Sequence, residues 1–567
     1  MKMKKMRRKE LLIGTVAFIL AAVIMALCLV SPGVPEPKDF NKILSMWDVC
    51  KQREVADRIY VIDCSTFETI EERHLAVSLQ GVVARSKPTI FIVTNDMDKK
   101  YLEIMKENGK DLVYTDSNGD NWTIETLLKK FKGYVKDDSY VLYKPSENGE
   151  GLNVATNYAS LYGYLPVPES LEKIAKRAGL TIKEDLTNEE YDVNFQEEFF
   201  DEHKNEFQFK AVVSQKYDAT GLRDLAIQQG FYVFYIDEDK DTDKFRGKIF
   251  EHIGNNVPVL GWAKYEVDYV SQASENGNMV IPSDHCHNNS ILASVRCELQ
   301  DQGHKGTRRH TDKTKHYCAL VFSDGDNIQW IQNGYEEYFE KLELKRQFPV
   351  TWSISPLMQE FSPFTLNMVY SQATQDDYFI AGVSGAGYIH PTEYPKDALT
   401  GYTDVTAATM FKSDLDYVSI LDFTPETNGD EKRLEDSLEY YARYSNIKGG
   451  VLSLDPDKYA GGQGKVYFVN GKPFISNRLS LWHPDGEGAD VTEEWLTQQA
   501  NIVNEYPVDI KSIDGYSVIN VHPWSISVED MAFFVSQLDK DVELVTLDEL
   551  MLLVRENVPH ETASPSK

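Results

Sequence analysis

The spacing of apolar positions changes several times along this 567-residue chain, and each change marks an element. RIYVIDC (58–64) and PTIFIVT (88–94) are short apolar runs of strand length, and ERHLAVSLQGVVAR (72–85) between them repeats at helical spacing. Strand, helix, strand is a βαβ unit. The polar loop DSNGDN (116–121) follows. SYVLYKP (139–145) then opens a second βα region, whose amphipathic helix PESLEKIAKRAGL (168–180) has Gly179 near its stop. A third region begins near Phe207, with strands FKAVVSQ (209–215), FYVFYID (231–237) and VPVLGW (257–262) and the helix GLRDLAIQQG (221–230). These three units differ in sequence, so no internal repeat is assigned. GHKGTRRHTDKTKH (303–316) is polar and basic and reads as a linker.

Beyond the linker the alternation becomes regular. YCALVFS (317–323), PVTWSIS (349–355), YFIAGVS (378–384), YVSILDF (417–423), GVLSLD (450–455), PFISNRLSL (473–481), YSVINVH (516–522) and VELVT (542–546) are strand candidates. Helical patterns separate most of them, including EEYFEKLELKRQ (336–347), EKRLEDSLEYYARYS (431–445) and VTEEWLTQQANIVNEY (491–506). Apolar strands alternating with helices predict a (β/α) barrel. Asn470-Gly471 between apolar runs is a hairpin signal, so the barrel is expected to be irregular. The expected class is α/β: three small N-terminal α/β domains at 50–116, 117–205 and 206–302, then an irregular barrel-like catalytic domain at 314–557.

The first 37 residues change the picture of location. Lys2, Lys4, Lys5, Arg7, Arg8 and Lys9 precede the uncharged apolar run 11–30, long enough to span a bilayer. A basic flank stays in the cytoplasm, so 1–37 reads as a signal anchor and Pro-rich spacer with the bulk of the chain extracellular; a cleaved signal and secretion is the alternative. A net charge of −30 repels nucleic acid. The six cysteines form no CxxC pair and read as apolar thiols rather than as a disulfide framework.

Candidate chemistry collects where the predicted barrel strands end, the face on which such barrels place their active sites. The first strand leads into FSDGDNIQW (322–330), with Asp324, Asp326, Asn327 and Trp330. The third leads into GAGYIHPTEY (385–394), with Tyr388 and His390; the fifth into Asp455; the sixth region carries Arg478; the seventh leads into VHPWS, with His522 and Trp524. Glu360, Glu393 and Asp422 are weaker strand-end carboxylates. Carboxylates beside aromatic rings suit a sugar site, where rings meet sugar C–H faces and carboxyl groups act as acid, base or nucleophile. The same residues have simpler readings: SDGDN is a turn and helix cap, Asp455-Pro456 a turn opener, and Arg478 an ion-pair partner. GAGYIHP lacks the third glycine and immediate helix of a dinucleotide loop. DHCHNN (284–289) spaces two histidines like metal ligands but has no further ligands at a recognisable spacing.

The stretch Gly385-Ala386-Gly387-Tyr388-Ile389-His390-Pro391 resembles the motif that names the GxGYxYP family of putative glycoside hydrolases, with His390 where the second tyrosine stands. FSDGDNIQW, NVHPW, HLAVSLQGVVAR (74–85) and VPVLGWAKYE (257–266) are similar to other recurring stretches of that family. The resemblance implies several small domains before a barrel-like one, and glycoside hydrolysis as the activity.

The expectation is an extracellular glycoside hydrolase acting on a poly- or oligosaccharide. Asp324, Asp326 and Asp455 are its candidate catalytic carboxylates, and Asn327, Trp330, Tyr388, His390, Arg478, His522 and Trp524 its substrate contacts. No cofactor, metal or nucleic-acid partner is expected; the membrane is a partner through the N-terminal helix. Two alternatives stand beside it. One is a metal-dependent polysaccharide deacetylase using Asp326, His390 and His522. The other is a non-catalytic carbohydrate-binding surface protein.

Overall fold

In β1 (Arg58–Asp63) the residues Ile59, Val61 and Ile62 are buried on both faces of a sheet, which is why the run is almost continuously apolar. A computed structural model describes residues 39–236, 243–295, 297–303, 305, 310, 312–334, 348–423, 431–454, 459–483 and 491–560. Residues 40–559 form one unit of contacts. β1 lies between β2 (Ile90–Val93) and β3 (Asp111–Val113), all parallel. The helix Ile70–Ala84 that joins β1 to β2 starts in a capping box, Thr69 with Glu72. A second parallel sheet places β4 (Ser139–Tyr143) between β5 (Leu165–Pro168) and β6 (Thr181–Asp185). A third sets β7 (Val212–Ser214) between β8 (Tyr232–Phe234) and β9 (Pro258–Gly261), with β10 (Met279–Ile281) outside β9. In all three the first strand is central, with the second on one side and the third on the other.

The fourth sheet is larger and curled. It contains β11 (His316–Phe322), β12 (Val350–Ile354), β13 (Asp377–Ala381), β14 (Tyr417–Asp422), β15 (Gly449–Leu454), β16 (Val466–Val469), β17 (Lys472–Ser476), β18 (Leu479–Leu481), β19 (Tyr516–Val521) and β20 (Val542–Leu544). All eight apolar runs of this part contain strands, and every pairing is parallel except β16 with β17. That antiparallel pair is the hairpin, with Asn470 and Gly471 at φ 52° and 73°. The sixth run is split. β17 pairs with β15, whereas β18 pairs with β19. Between them Asn477 N donates to Leu452 O at 3.0 Å and Arg478 N donates to Val518 O at 2.8 Å. One segment therefore bonds to both flanks, and the curled sheet meets itself there. β20 is wedged at the lower end of β11, on His316–Cys318, while Val321 and Phe322 pair with β12.

Among the described residues no helix is long and apolar enough to cross a membrane, and the expected anchor at 1–37 lies outside those residues. So does the helix expected at 336–347. Among the described residues none of the five cysteines forms a disulfide, and Cys50, Cys286 and Cys318 are buried.

Candidate active site

At the end of β11, Ser323 N still bonds to Val521 O at 3.0 Å, and then the chain turns sharply. Asp324 takes a φ of 64°. Gly325 lies so close to β12 that a Cβ would stand 1.9 Å from the Ser353 carbonyl oxygen, and Gly382 after β13 would put a Cβ 2.6 Å from Asp326 N. Glycine at both positions lets the turn sink onto the strand ends, where Gly325 N donates to Ser353 Oγ at 2.9 Å.

The two aspartates of this turn have unequal surroundings. Asp326 is buried, and burial, then the charges of Asp324 and Glu266, push its carboxyl well above the ordinary carboxylate range. The Asp324 side chain keeps a quarter of its surface exposed. It accepts a short hydrogen bond from Ser323 Oγ, and His522 Nε2 stands 3.8 Å from its Oδ2. His522 is itself fixed: Nδ1 lies 2.8 Å from Ser525 Oγ, and the ring stacks on Trp482 at 3.4 Å between centroids. Tyr459 meets Trp482 edge-on at 5.3 Å. Trp330 and Trp524 pack 5.7 Å apart, Trp524 being 40% exposed and Trp330 half-buried. An indole that offers an apolar face and an N–H to solvent is suited to binding.

A third carboxylate comes from another domain. Glu266 begins the helix Glu266–Glu275, soon after β9 of the third sheet. It accepts a hydrogen bond of 3.0 Å from the Tyr388 hydroxyl. Burial, then Glu266, Tyr459 and Asp326, push that hydroxyl well above its ordinary range, so Tyr388 is a permanent donor at neutral pH. Sequence reasoning missed Glu266 and Tyr459. The signal for Glu266 was the same one used for Asp324, a carboxylate just past a buried strand, applied only to the last sheet.

The glycine motif serves mainly as a joint. Tyr388 exchanges both backbone hydrogen bonds with Val280 of β10, at 2.8 and 3.0 Å. A Cβ on Gly387 would stand 2.9 Å from Met279 Cγ. The expectation that His390 faces substrate is corrected: His390 is buried, with Nδ1 3.0 Å from Glu393 Oε2 and 3.2 Å from Ser271 Oγ, and its backbone N bonded to Ser274 Oγ. Its ring packs on Phe423 at 4.6 Å.

Two further expectations change. Arg478 points to the opposite end of the strands. It donates to the carbonyls of Asp514 and Tyr516, at 2.8 and 3.3 Å, and lies over the Tyr506 ring at 4.3 Å. It is a structural cation, not a substrate clamp. Asn327 caps the helix Ile328–Asn333, its Oδ1 accepting from Trp330 N at 3.2 Å, so its side-chain oxygen is engaged. Asp455 lies outside the described residues. Glu360 and Asp422 are structural: Glu360 accepts from Cys50 N, and Asp422 from Thr392 and Phe423 N. Of the two histidines in DHCHNN, His287 is buried against Thr220 and His285 faces Asp284. Among the described residues no group of three or more His, Cys, Asp or Glu is placed to hold a metal.

What the turn offers is a pair of carboxyl groups in unlike surroundings. Two carboxyl groups in one place, one whose proton is held by burial and neighbouring charge and one in a polar, partly exposed setting, are the kind of pair that can divide acid and partner roles.

Three N-terminal domain models of the GxGYxYP family match residues 58–133, 138–202 and 210–294, and the "GxGYxYP putative glycoside hydrolase C-terminal domain" matches 314–555. A crystal structure described as a "putative hydrolase" from Bacteroides thetaiotaomicron VPI-5482 is similar with a TM-score of 0.78 and 25% identity, covering 90% of this chain and 97% of that one. No curated protein matches the chain significantly. With all four domain models matched in order along its length, this chain belongs to the GxGYxYP family.

Proposed function

We propose that this protein is a glycoside hydrolase that cleaves a poly- or oligosaccharide with Asp326 as general acid and Asp324 as its ionised partner. The observation that carries the proposal is the unequal setting of the two aspartates, one buried beside two negative charges and one hydrogen-bonded and partly exposed. Asp326 gives its proton to the glycosidic oxygen as the bond to the anomeric carbon breaks. Asp324 serves the anomeric carbon, directly or through a water that it deprotonates. Glu266 keeps Asp326 protonated, and Trp330 and Trp524 supply ring faces to the sugar. The basic flank and apolar run at the N-terminus support action outside the membrane, on glycan met there.

The test is hydrolysis of a glycan panel by the full chain and by Asp326→Asn. Turnover is expected to fall by about 10²–10⁴, the usual worth of a positioned acid, with no loss of thermal stability. Unchanged turnover in Asp326→Asn removes Asp326 from the chemistry.

A further inference from the structure

The first small domain holds a cavity of its own, remote in sequence from the aspartate turn. Its volume is about 470 Å³, within the range of roughly 300–1,000 Å³ common for small-ligand sites. It lies at the ends of β1 and β3, where the chain has crossed from one side of β1 to the other. Open α/β sheets bind ligands at such a switch point.

Its chemistry is that of a sugar site. Val61, Leu102 and Leu112 give it an apolar floor. Glu103 and Lys106 reach it from the helix Asp96–Glu107, and Tyr114 and Asn121 from the segment after β3. These four side chains are exposed, converge on one space, and among the described residues have no hydrogen-bond or ion-pair partner, so water holds the places a ligand would take. Trp122 is buried in the wall, and its indole Nε1 also lacks a partner. Tyr114 is more than half exposed. Asp63 completes the rim; hydrogen bonds from Ser65 hold its carboxyl below the usual range, so it accepts at neutral pH. The lysines and carboxylates lining the cavity balance in number, which disfavours a phosphate or any other strongly charged ligand. Donors and acceptors around aromatic faces fit a neutral polyhydroxyl ring.

The cavity is joined to the candidate active site through one helix. The helix Asp96–Glu107 also carries Tyr101, whose hydroxyl donates to Gln332 O at 2.9 Å, and its cap Asn95 bonds Asn333 Oδ1 at 3.2 Å. Gln332 and Asn333 belong to the helix that bears Trp330.

We infer that the first domain is a second, non-catalytic carbohydrate-binding site that takes a neutral sugar unit between Tyr114, Asn121, Glu103 and Lys106. The class of ligand rests on the glycoside hydrolase reading; the existence of a site does not. A glycan held there is kept on the same molecule as the aspartate turn, which raises its effective concentration at that turn.

The experiment is hydrogen–deuterium exchange on full-length Asp326→Asn protein with neutral gluco-, xylo-, manno- and galacto-oligosaccharides. At least one is expected to slow exchange in residues 112–122, and Tyr114→Ala and Asn121→Ala, added singly, to abolish that protection at unchanged thermal stability. With Asp326 restored, the same two substitutions are expected to leave hydrolysis of a small aryl glycoside unchanged and to lower hydrolysis of polymer about tenfold. Absence of protection with every oligosaccharide, or protection that survives both substitutions, overturns the inference. Protection without any turnover by the wild type overturns the hydrolase reading and leaves this site standing.

Discussion

The turn Ser323–Asn327 after β11 and the turn Val383–Pro391 after β13 leave the same end of one curled sheet. Both contain glycine in close contact with backbone or side chains, and both carry groups that chemistry uses. Their side chains nevertheless have different employment. In the first, hydrogen bonds within the turn and to Ser353 fix the backbone and leave the Asp326 carboxyl without a hydrogen bond from another side chain among the described residues. In the second, backbone and side chains are engaged with the third domain: Tyr388 with Val280 and Glu266, His390 with Ser271 and Ser274. The motif that identifies the family is thus chiefly a contact between domains in this chain. Here it holds two domains in the relation that brings Glu266 beside Asp326.

The sharpest way to break this contrast is a pair of glycine substitutions. Gly382→Ala drives a Cβ against Asp326 N and is expected to lower kcat at least about 100-fold; Gly387→Ala drives one against the flexible Met279 and is expected to cost about 1–3 kcal/mol of stability with a smaller effect on kcat. Steady-state kinetics and thermal unfolding on both proteins check it, and equal effects on kcat would erase the distinction between the turns.

Next in size is the pH profile of Glu266→Gln. As the proposed general acid Asp326 must be protonated to act, so activity is expected to be lost as pH rises through its raised value. Glu266 contributes to that rise, so its neutral replacement is expected to move the alkaline limb of kcat/KM to lower pH. The same linkage acts on stability. Because the folded value of Asp326 is raised, the stability it contributes is complete below about pH 4 and is lost as pH rises through the folded value. The stability of Asp326→Asn relative to wild type is therefore expected to grow with pH above about 4, which urea unfolding at several pH values measures. The smallest expected effect is that of Arg478→Gln, which should lower the thermal midpoint through lost carbonyl and Tyr506 contacts and leave kcat and KM alone.

The central strands of the last sheet were legible because β11, β12, β13, β15 and β19 are buried along their whole length and read as apolar runs. Asn470-Gly471 was legible because its turn demands positive φ. Arg478 misled because a polar residue inside a strand says nothing of which end its side chain reaches. Register decides it: Leu479 pairs with Ile519, below the end of β19, and Arg478 lies lower still. His390 misled because its ring does lie beside Tyr388, 5.6 Å between centroids, yet is buried, with Glu393 three residues on and Ser271 of the third domain claiming its Nδ1. Glu266 was hidden because its partner Tyr388 is far away in the chain. The common strand order of the three small sheets was also invisible, since crossover geometry sets it without need of shared residues.

The Val280–Tyr388 pairing has a consequence for the order in which the protein is made. β10 leaves the ribosome long before Tyr388, and its outer edge waits with open amide and carbonyl groups until the motif arrives. Exposed strand edges recruit other strands, so a nascent or truncated chain ending at the linker 303–316 is expected to self-associate through Met279–Ile281. The glycine motif then acts as a late-arriving guard for a strand completed much earlier.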